Sequence, residues 1–283
     1  MGRKDATLIR SDAMHLIMGN IYPNRADNEA FIRVTIDLEP IRRYIAEKTP
    51  TDPDYKYSLF QVVVAAFLKC AVLRPKLNRF YANKNYYQRK DITAGFVVKK
   101  EFADDGGEGF AFLKAKEDWT MQTVHNKFRD TVKKERTGVA TNNTEDAMEL
   151  LNKLPLFISK TAIRFMRFLD RHGWLPQSMI SSDPDFATIF FSNLGSIGMD
   201  AGYHHLSNWG TTSLFCTVGI IHKEPVYDEE GHAEMCEVVD LGLTIDERIA
   251  DGYYYAKTIR LLKKLLGNPW LLDQTFNTKV EDY

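Results

Sequence analysis

Cysteine is scarce in this chain of 283 residues. Its three cysteines, Cys70, Cys216 and Cys236, are an odd number and share no metal-ligand spacing. A set of this kind excludes a disulfide framework as the main support of the fold and matches none of the common zinc motifs. We therefore expect a protein of a reducing compartment, the cytoplasm, that holds no metal.

Long apolar runs and an excess of one charge are also lacking. The strongest apolar run, Ser58–Leu68, is too short to cross a bilayer, and Met1–Asp5 is basic without the apolar region of a secretory signal. Lysine and arginine total 37 against 38 acidic residues, so the chain has no electrostatic footprint of a nucleic-acid-binding protein. No repeat or linker divides it, and 12% aromatic residues provide area for a core.

Strands and helices alternate irregularly along the chain. Residues 31–38 have the period of a strand, and Pro40 then opens a helix that ends near Lys48. Ser58 caps a second helix, which is apolar nearly all round and is therefore expected to be buried. Further strands are predicted at 79–88, 92–100, 109–114, 187–191 and 214–221. A hairpin-like pair is predicted from Val226 to 235–245, and further helices at 120–136 and 253–266. The pattern favours one domain of mixed α and β structure.

The segment Leu154–His172 combines a wide apolar face with four basic residues. These are Lys160, Arg164, Arg167 and Arg171. Two interpretations stay open: a helix that lies on an anionic membrane, or a core or interface helix whose basic residues face water. Most amphipathic helices pack against protein, so the second interpretation is favoured over membrane contact through 154–172.

Three carboxylates, Asp246, Glu247 and Asp251, lie between a predicted strand and the last helix. Asp251 is placed to cap that helix, and Gly252 lets the chain turn closely. Arg248 is the only nearby counter-charge in the sequence. The residues alone indicate either a helix cap with a local salt bridge or a catalytic centre.

The segment LTIDERIADGYYYAKTIRLLKKLLGNPWLL resembles a family signature. Its pattern is similar to the strand–Asp-His-Arg-x-x-Asp-Gly–helix of dihydrolipoamide acyltransferases, the core subunits of 2-oxoacid dehydrogenase complexes. Upstream, Phe191–Gly195 (FSNLG) resembles the family's Ile-Ser-Asn-Leu-Gly. Weaker similarity in AFIRVTIDLEPIRRYI and SLFQVVVAAFLKCAVLRPKLNRFY extends the resemblance over about Glu29 to Leu272.

The resemblance implies the fold of chloramphenicol acetyltransferase, an α/β two-layer sandwich in which helices cover a mixed sheet. It also implies a homotrimer with its active centre between subunits, or a larger assembly, and coenzyme A or acyl-CoA as cofactor. We expect residues 1–283 to form one acyltransferase-like catalytic domain without lipoyl or peripheral-subunit-binding domains. Residues 139–185 look like a helical insertion into it.

By the resemblance, Ser192 holds the oxyanion of a tetrahedral intermediate, Asp251 supports the local geometry, and Glu247 stands where the family has its catalytic histidine. Taking a thiol proton costs about 3 kcal/mol more with a free glutamate than with a free histidine, which is about a hundredfold in rate. His204 or His205, in the sequence GYHH, is a second candidate for the base.

Two functions remain at this point. The first is a CoA-dependent acyltransferase that moves an acyl group from a thioester to a small acceptor. The alternative is a non-catalytic trimeric scaffold or assembly protein that derives from the acyltransferase core and has lost its base.

Overall fold

A computed structural model describes residues 3–10, 13–99, 108–136, 149–227, 230–281 and 283. Its strands are β1 (Ala6–Ile9), β2 (Glu29–Asp37), β3 (Arg79–Ala82), β4 (Asn85–Arg89), β5 (Ile92–Lys99), β6 (Glu108–Ala115), β7 (Ile189–Asn193), β8 (Leu214–Tyr227) and β9 (Ala233–Asp246). Its helices are α1 (Ala13–Ile21), α2 (Glu39–Lys48), α3 (Leu59–Leu73), α4 (Met121–Arg136), α5 (Leu156–Arg171), α6 (Gln177–Ile180) and α7 (Gly252–Gly267).

Six strands form the central sheet, in the order β2-β9-β8-β7-β5-β6. The strand β7 runs parallel to both of its neighbours, β5 and β8, and the other pairs are antiparallel. The strands β1, β4 and β3 form a separate antiparallel sheet. The mixed central sheet confirms the expected α/β sandwich.

The two faces of the central sheet differ. On β2, Val34 and Ile36 are buried in the core, where helices α2, α3 and α7 pack. Phe31 lies on the opposite face, where it is 53% exposed, and Arg33 is exposed beside it. We call this opposite face the second face; it also carries the candidate serine described below.

Helix α3 confirms the buried helix that the sequence predicts. Its first turn is a capping box, in which the hydroxyl of Ser58 accepts from the Gln61 amide and the Gln61 side chain accepts from the Ser58 amide. Lys69 is fully buried in this helix, but its ammonium donates to the carbonyls of Leu271 and Thr275 at 2.7 and 3.2 Å. Burial lowers the pKa of this lysine.

The predicted strand at 79–88 is wrong in one respect, because it is two strands joined by a tight turn. Asn83 and Lys84 have φ angles of 47° and 60°, which close the hairpin between β3 and β4. Neither turn residue is a glycine, so the sequence does not indicate the turn. Elsewhere β8 continues six residues beyond the predicted end at Ile221, to Tyr227. Residue 100 of the strand predicted at 92–100 lies outside the described residues.

Helix α5 confirms the helix predicted within 154–172 but leaves most of its apolar side chains uncovered. Ser159 is its buried residue, whereas Phe157 and Phe165 are 72% and 60% exposed. In one chain, therefore, α5 is not a core helix. Of the predicted insertion at 139–185, residues 139–148 lie outside the described part of the chain. Within that part, no helix has the length and hydropathy to cross a membrane.

Candidate active site

A buried ion pair shapes the turn that follows β9. The Arg248 guanidinium donates to both carboxylate oxygens of Asp246, at 2.9 and 2.7 Å, and both side chains are buried. The Arg248 backbone amide donates to the same carboxylate at 3.1 Å. The guanidinium carbon lies 4.5 Å from the ring centroid of Tyr81. The local salt bridge inferred from the sequence is thus present, and it fixes the backbone on both sides of Glu247.

Glu247 is held by its backbone alone. Its amide donates to the carbonyl of Asn28 at 2.9 Å, and its side chain is exposed between the buried Asp246 and Arg248. The turn therefore presents this carboxylate to solvent. A single chain does not provide the burial by which the environment could make a glutamate a better base.

Asp251 caps helix α7, as its position in the sequence predicts. Its carboxylate accepts from the Tyr254 amide at 2.8 Å, and Lys76 lies 3.8 Å from its second oxygen. The hydrogen bond from Tyr254 lowers the pKa of Asp251. The carboxylate therefore stays ionised and ties the start of α7 to the segment before β3.

Ser192 lies in β7 on the second face, far from Glu247 in the same chain. It is paired in register with Thr217 of β8, which is paired with Gly242 of β9. Glu247 comes five residues after Gly242. At about 3.3 Å per residue this places the glutamate roughly 16 Å further along the sheet, and two strands across. One chain does not bring the two residues together.

The two candidate histidines lie in the loop before β8. The His204 ring stacks on Phe215 with centroids 4.3 Å apart, and its Nδ1 lies 2.8 Å from the His205 carbonyl. The next residue, Leu206, donates its amide to Glu29 at 2.6 Å, and Glu29 pairs in register with Asp246. The loop thus passes over the end of the sheet that carries Glu247, and both histidines are exposed.

A third set of polar residues, missed by the sequence reasoning, lies under this loop. Arg25 is buried and donates to the carbonyls of Ser207 and Gly210 at 2.6 and 2.9 Å. Near it, burial raises the pKa of Asp185 to about 7; Asp183 adds to the rise and Arg25 opposes it. Arg25 and Asp185 are 160 residues apart in sequence, so no local pattern joins them.

Asp185 gives the fold a specific dependence on pH. The pKa of this carboxyl rises on folding, from 3.8 to about 7. Such a carboxyl does not destabilise the native state at a pH below 3.8, and it destabilises that state increasingly as the pH rises from 3.8 to about 7. We expect Asp185→Asn to unfold at a higher temperature than the parent at pH 7.5, with an advantage that shrinks at pH 4.5. Thermal unfolding at both pH values measures this. An advantage independent of pH would contradict it.

No three His, Cys, Asp or Glu side chains within the described ranges are arranged to hold a metal ion. Of the candidate residues, Glu247 and Asp251 lie at one end of the sheet, and Ser192 lies further along the second face. The His204 ring lies between them, because Phe215, on which it stacks, pairs with Phe190, two residues before Ser192, and with Thr244, three residues before Glu247.

Comparison with known proteins bears on the fold and on part of the sequence. A sequence model of the family "2-oxoacid dehydrogenases acyltransferase (catalytic domain)" matches residues 177–273, a segment that contains all five candidate residues. A search of curated proteins by sequence finds no match.

Three solved structures share the fold over nearly the whole chain. The dihydrolipoamide acetyltransferase of Azotobacter vinelandii has a TM-score of 0.62 at 15% identity, covering 92% of this chain and 88% of its own. A truncated catalytic core of the 2-oxoacid dehydrogenase complex of Thermoplasma acidophilum has a TM-score of 0.56 at 17% identity, covering 93% and 98%. A chloramphenicol acetyltransferase has a TM-score of 0.51 at 12% identity, covering 92% and 99%. The chain thus has the fold of these acyltransferases and, over residues 177–273, the sequence pattern of the 2-oxoacid dehydrogenase acyltransferase catalytic domain.

Proposed function

We propose that this protein is a CoA-dependent acyltransferase that moves an acyl group from a thioester to a small thiol or hydroxyl acceptor. The observation that carries the proposal is the turn after β9. The buried Asp246–Arg248 pair fixes the backbone on both sides of Glu247, within the segment that matches the family pattern. By the resemblance of this segment, we place Glu247 at the family's histidine position. Asp251 caps the following helix in the same turn.

A related enzyme supports the choice of residues. The study of the Azotobacter vinelandii acetyltransferase concerns the role of a serine, a histidine and an asparagine in its catalytic mechanism, the last two four positions apart. Glu247 and Asp251 have the same separation here, and Ser192 precedes them by a similar distance. We propose the corresponding roles for these three residues, with a carboxylate in place of the imidazole.

We propose a homotrimer, or a larger assembly built from it, with the active centre between subunits. The separation of Ser192 from Glu247 supports this, because a second chain can bring a serine to the glutamate. Exposed apolar side chains also support it. The ring centroids of Phe31 and Tyr203 lie 5.3 Å apart, and Met199, four residues before Tyr203, is exposed as well. Clustered apolar side chains of this kind are typical of surfaces that pack against another subunit.

In the proposed reaction Glu247 takes the proton of the acceptor thiol or hydroxyl, and the acceptor attacks the thioester carbonyl carbon. The hydroxyl of Ser192 from a neighbouring subunit donates to the oxyanion of the tetrahedral intermediate. The intermediate then expels the CoA thiolate, which takes the proton from Glu247. Subunit contact also supplies the burial that Glu247 lacks in one chain. His204 or His205 is the second candidate for the base, since the loop reaches this end of the sheet.

A non-catalytic scaffold is the competing proposal, and the exposed carboxylate at the histidine position favours it. The variant Glu247→His separates the two. In an acyltransferase it should raise transfer from acetyl-CoA to dihydrolipoamide about a hundredfold, because imidazole is the better base for a thiol. Loss of thioester absorbance measures the rate. A matched control is Glu39→His, on the exposed surface of α2.

No transfer above the uncatalysed rate by either the parent or Glu247→His would contradict the enzyme proposal and leave the scaffold. A histidine variant that is slower than an active parent would show that the site is built around the carboxylate.

A further inference from the structure

A cavity of about 470 Å³ lies next to the turn that carries Glu247, and Arg248 of that turn lines it. Its walls come from the segment before β2, the β3–β4 hairpin, helix α5 and the loop before β8. We call it the arginine cavity. Its charged lining residues are Arg25, Lys84, Arg164, Arg167, Asp170, Arg171 and Arg248. Arg164, Arg167 and Arg171 belong to α5, outside the segment that matches the family pattern.

The arginine cavity has an excess of positive charge: six cationic side chains and one carboxylate line it, and the carboxylates of Asp246 and Asp185 near Arg25 offset only part of the excess. Its one carboxylate, Asp170, already accepts from Arg3 at 3.0 Å, and Arg248 is neutralised by Asp246. Within the described part of the chain, the other five cations have no ion pair with a carboxylate. Like charges brought this close repel one another, and an anion in the cavity would relieve that repulsion.

Arg25 shows that the charge is built into the fold. This arginine is buried, and the acceptors of its guanidinium hydrogen bonds are the carbonyls of Ser207, Trp209 and Gly210. Carbonyls orient the guanidinium but do not neutralise it, and the carboxylates of Asp246, Asp170 and Asp185 offset part of its charge without contacting it. A buried cation without a carboxylate in contact is costly, and it is retained here beneath an open cavity.

The walls of the arginine cavity also contain aromatic rings, Tyr81, Phe168 and Trp209. Its volume lies within the range typical of small-ligand sites. Several cations beside aromatic rings fit a ligand that has a planar heterocycle and a multiply charged anionic group, since arginine binds phosphate oxygens in pairs. Inorganic phosphate would use the cations of the cavity but not its aromatic rings.

We propose that the arginine cavity binds a nucleotide that carries a diphosphate group. The binding site is separate from the reacting groups at Glu247 and Ser192, and the proposal does not rest on acyl transfer. The same chemistry could come from a free nucleoside diphosphate or from the nucleotide part of coenzyme A.

The test is calorimetric binding of ADP to the full chain. We expect saturable binding that weakens with added salt, because exposed charges are screened. The double variant Arg164→Glu, Arg167→Glu should weaken ADP binding about tenfold or more, because two attractive charges become repulsive. Lys160→Glu is the matched control, since Lys160 is exposed on the same helix but does not line the cavity. This control should bind ADP as the parent does.

Three results would overturn the proposal. These are no ADP binding at millimolar concentration, an equal loss in Lys160→Glu and in the double variant, or undiminished binding in the double variant. Sedimentation with anionic phosphatidylserine vesicles, in a protein that does not bind ADP, would assign the basic face of α5 to a membrane. Lys84→Ala, at the turn of the hairpin, provides a second variant should the double variant not fold.

Coenzyme A distinguishes the two sources of the nucleotide. If CoA competes with ADP and is weakened by the same double variant, its nucleotide part occupies the cavity. If CoA binds without competition, the cavity holds a free nucleotide. ADP binding in a protein that neither binds CoA nor transfers acyl groups would defeat the proposed function and support the nucleotide site. Acyl transfer without ADP binding would support the proposed function and contradict the nucleotide site.

Discussion

Ser192→Ala and Glu247→Gln should each lower acyl transfer by about 10²–10³-fold, which is the usual effect of removing an oxyanion donor or a general base. A co-assembled mixture of the two variants should recover activity. If each site takes its serine from one subunit and its glutamate from another, about a quarter of the sites in random trimers of an equal mixture are intact. The physical reason is the roughly 16 Å that separates the two residues along the sheet of one chain.

The measurement is the transfer rate after the two variants are unfolded together and refolded as a mixture. Each variant refolded alone is the control for recovery of native protein. A mixture as inactive as its components would contradict a shared site and would place both groups, if they act at all, within one subunit. Full activity in either single variant would remove that residue from the mechanism.

Arg248→Met should destabilise the fold by about 3–5 kcal/mol, the usual cost of leaving one partner of a buried ion pair alone. Arg248 and Asp246 are both buried, and the side chain of Asp246 is completely enclosed. The carboxylate would then lie in the protein interior without its counter-charge. Urea unfolding monitored by circular dichroism measures the loss, provided that the transition remains two-state.

The exposed pair of Arg33 and Asp240 is the matched control. Its N–O distance is 2.6 Å, similar to the 2.7 Å of the buried pair, but the arginine side chain is 56% exposed. Arg33→Met should therefore cost about 1 kcal/mol or less. The double variant Asp246→Leu, Arg248→Met should be more stable than Arg248→Met, because it leaves no carboxylate buried at this turn without its ion-pair partner. Equal losses in Arg248→Met and Arg33→Met would contradict this account of the turn.

Local patterns predict local structure well in this chain. The caps at Ser58 and Asp251 each depend on residues three positions apart, and the burial of α3 follows from the apolar residues of that one helix. The Asp246–Arg248 pair is equally local, so the sequence indicates the salt bridge. The strand break at Asn83 and Lys84 is missed because two non-glycine residues adopt positive φ there.

Relations between distant segments could not be predicted from sequence. The separation of Ser192 from Glu247 follows from strand order and register, and neither leaves a periodic signal. The arginine cavity is a sharper example, since Arg25, Arg164 and Arg248 come from three separate parts of the chain. The exposure of the apolar face of α5 likewise could not be predicted. An amphipathic pattern predicts that a helix has an apolar face, but not what covers that face.

The measurement that tests the central claim most directly is calorimetric binding of coenzyme A and acetyl-CoA to the full chain. The account predicts saturable binding with a Kd on the order of micromolar, equivalent to roughly −8 kcal/mol, retained in Glu247→Gln because that variant changes the reacting group alone. No detectable heat at millimolar CoA would contradict the acyltransferase assignment and leave a scaffold with an acyltransferase fold.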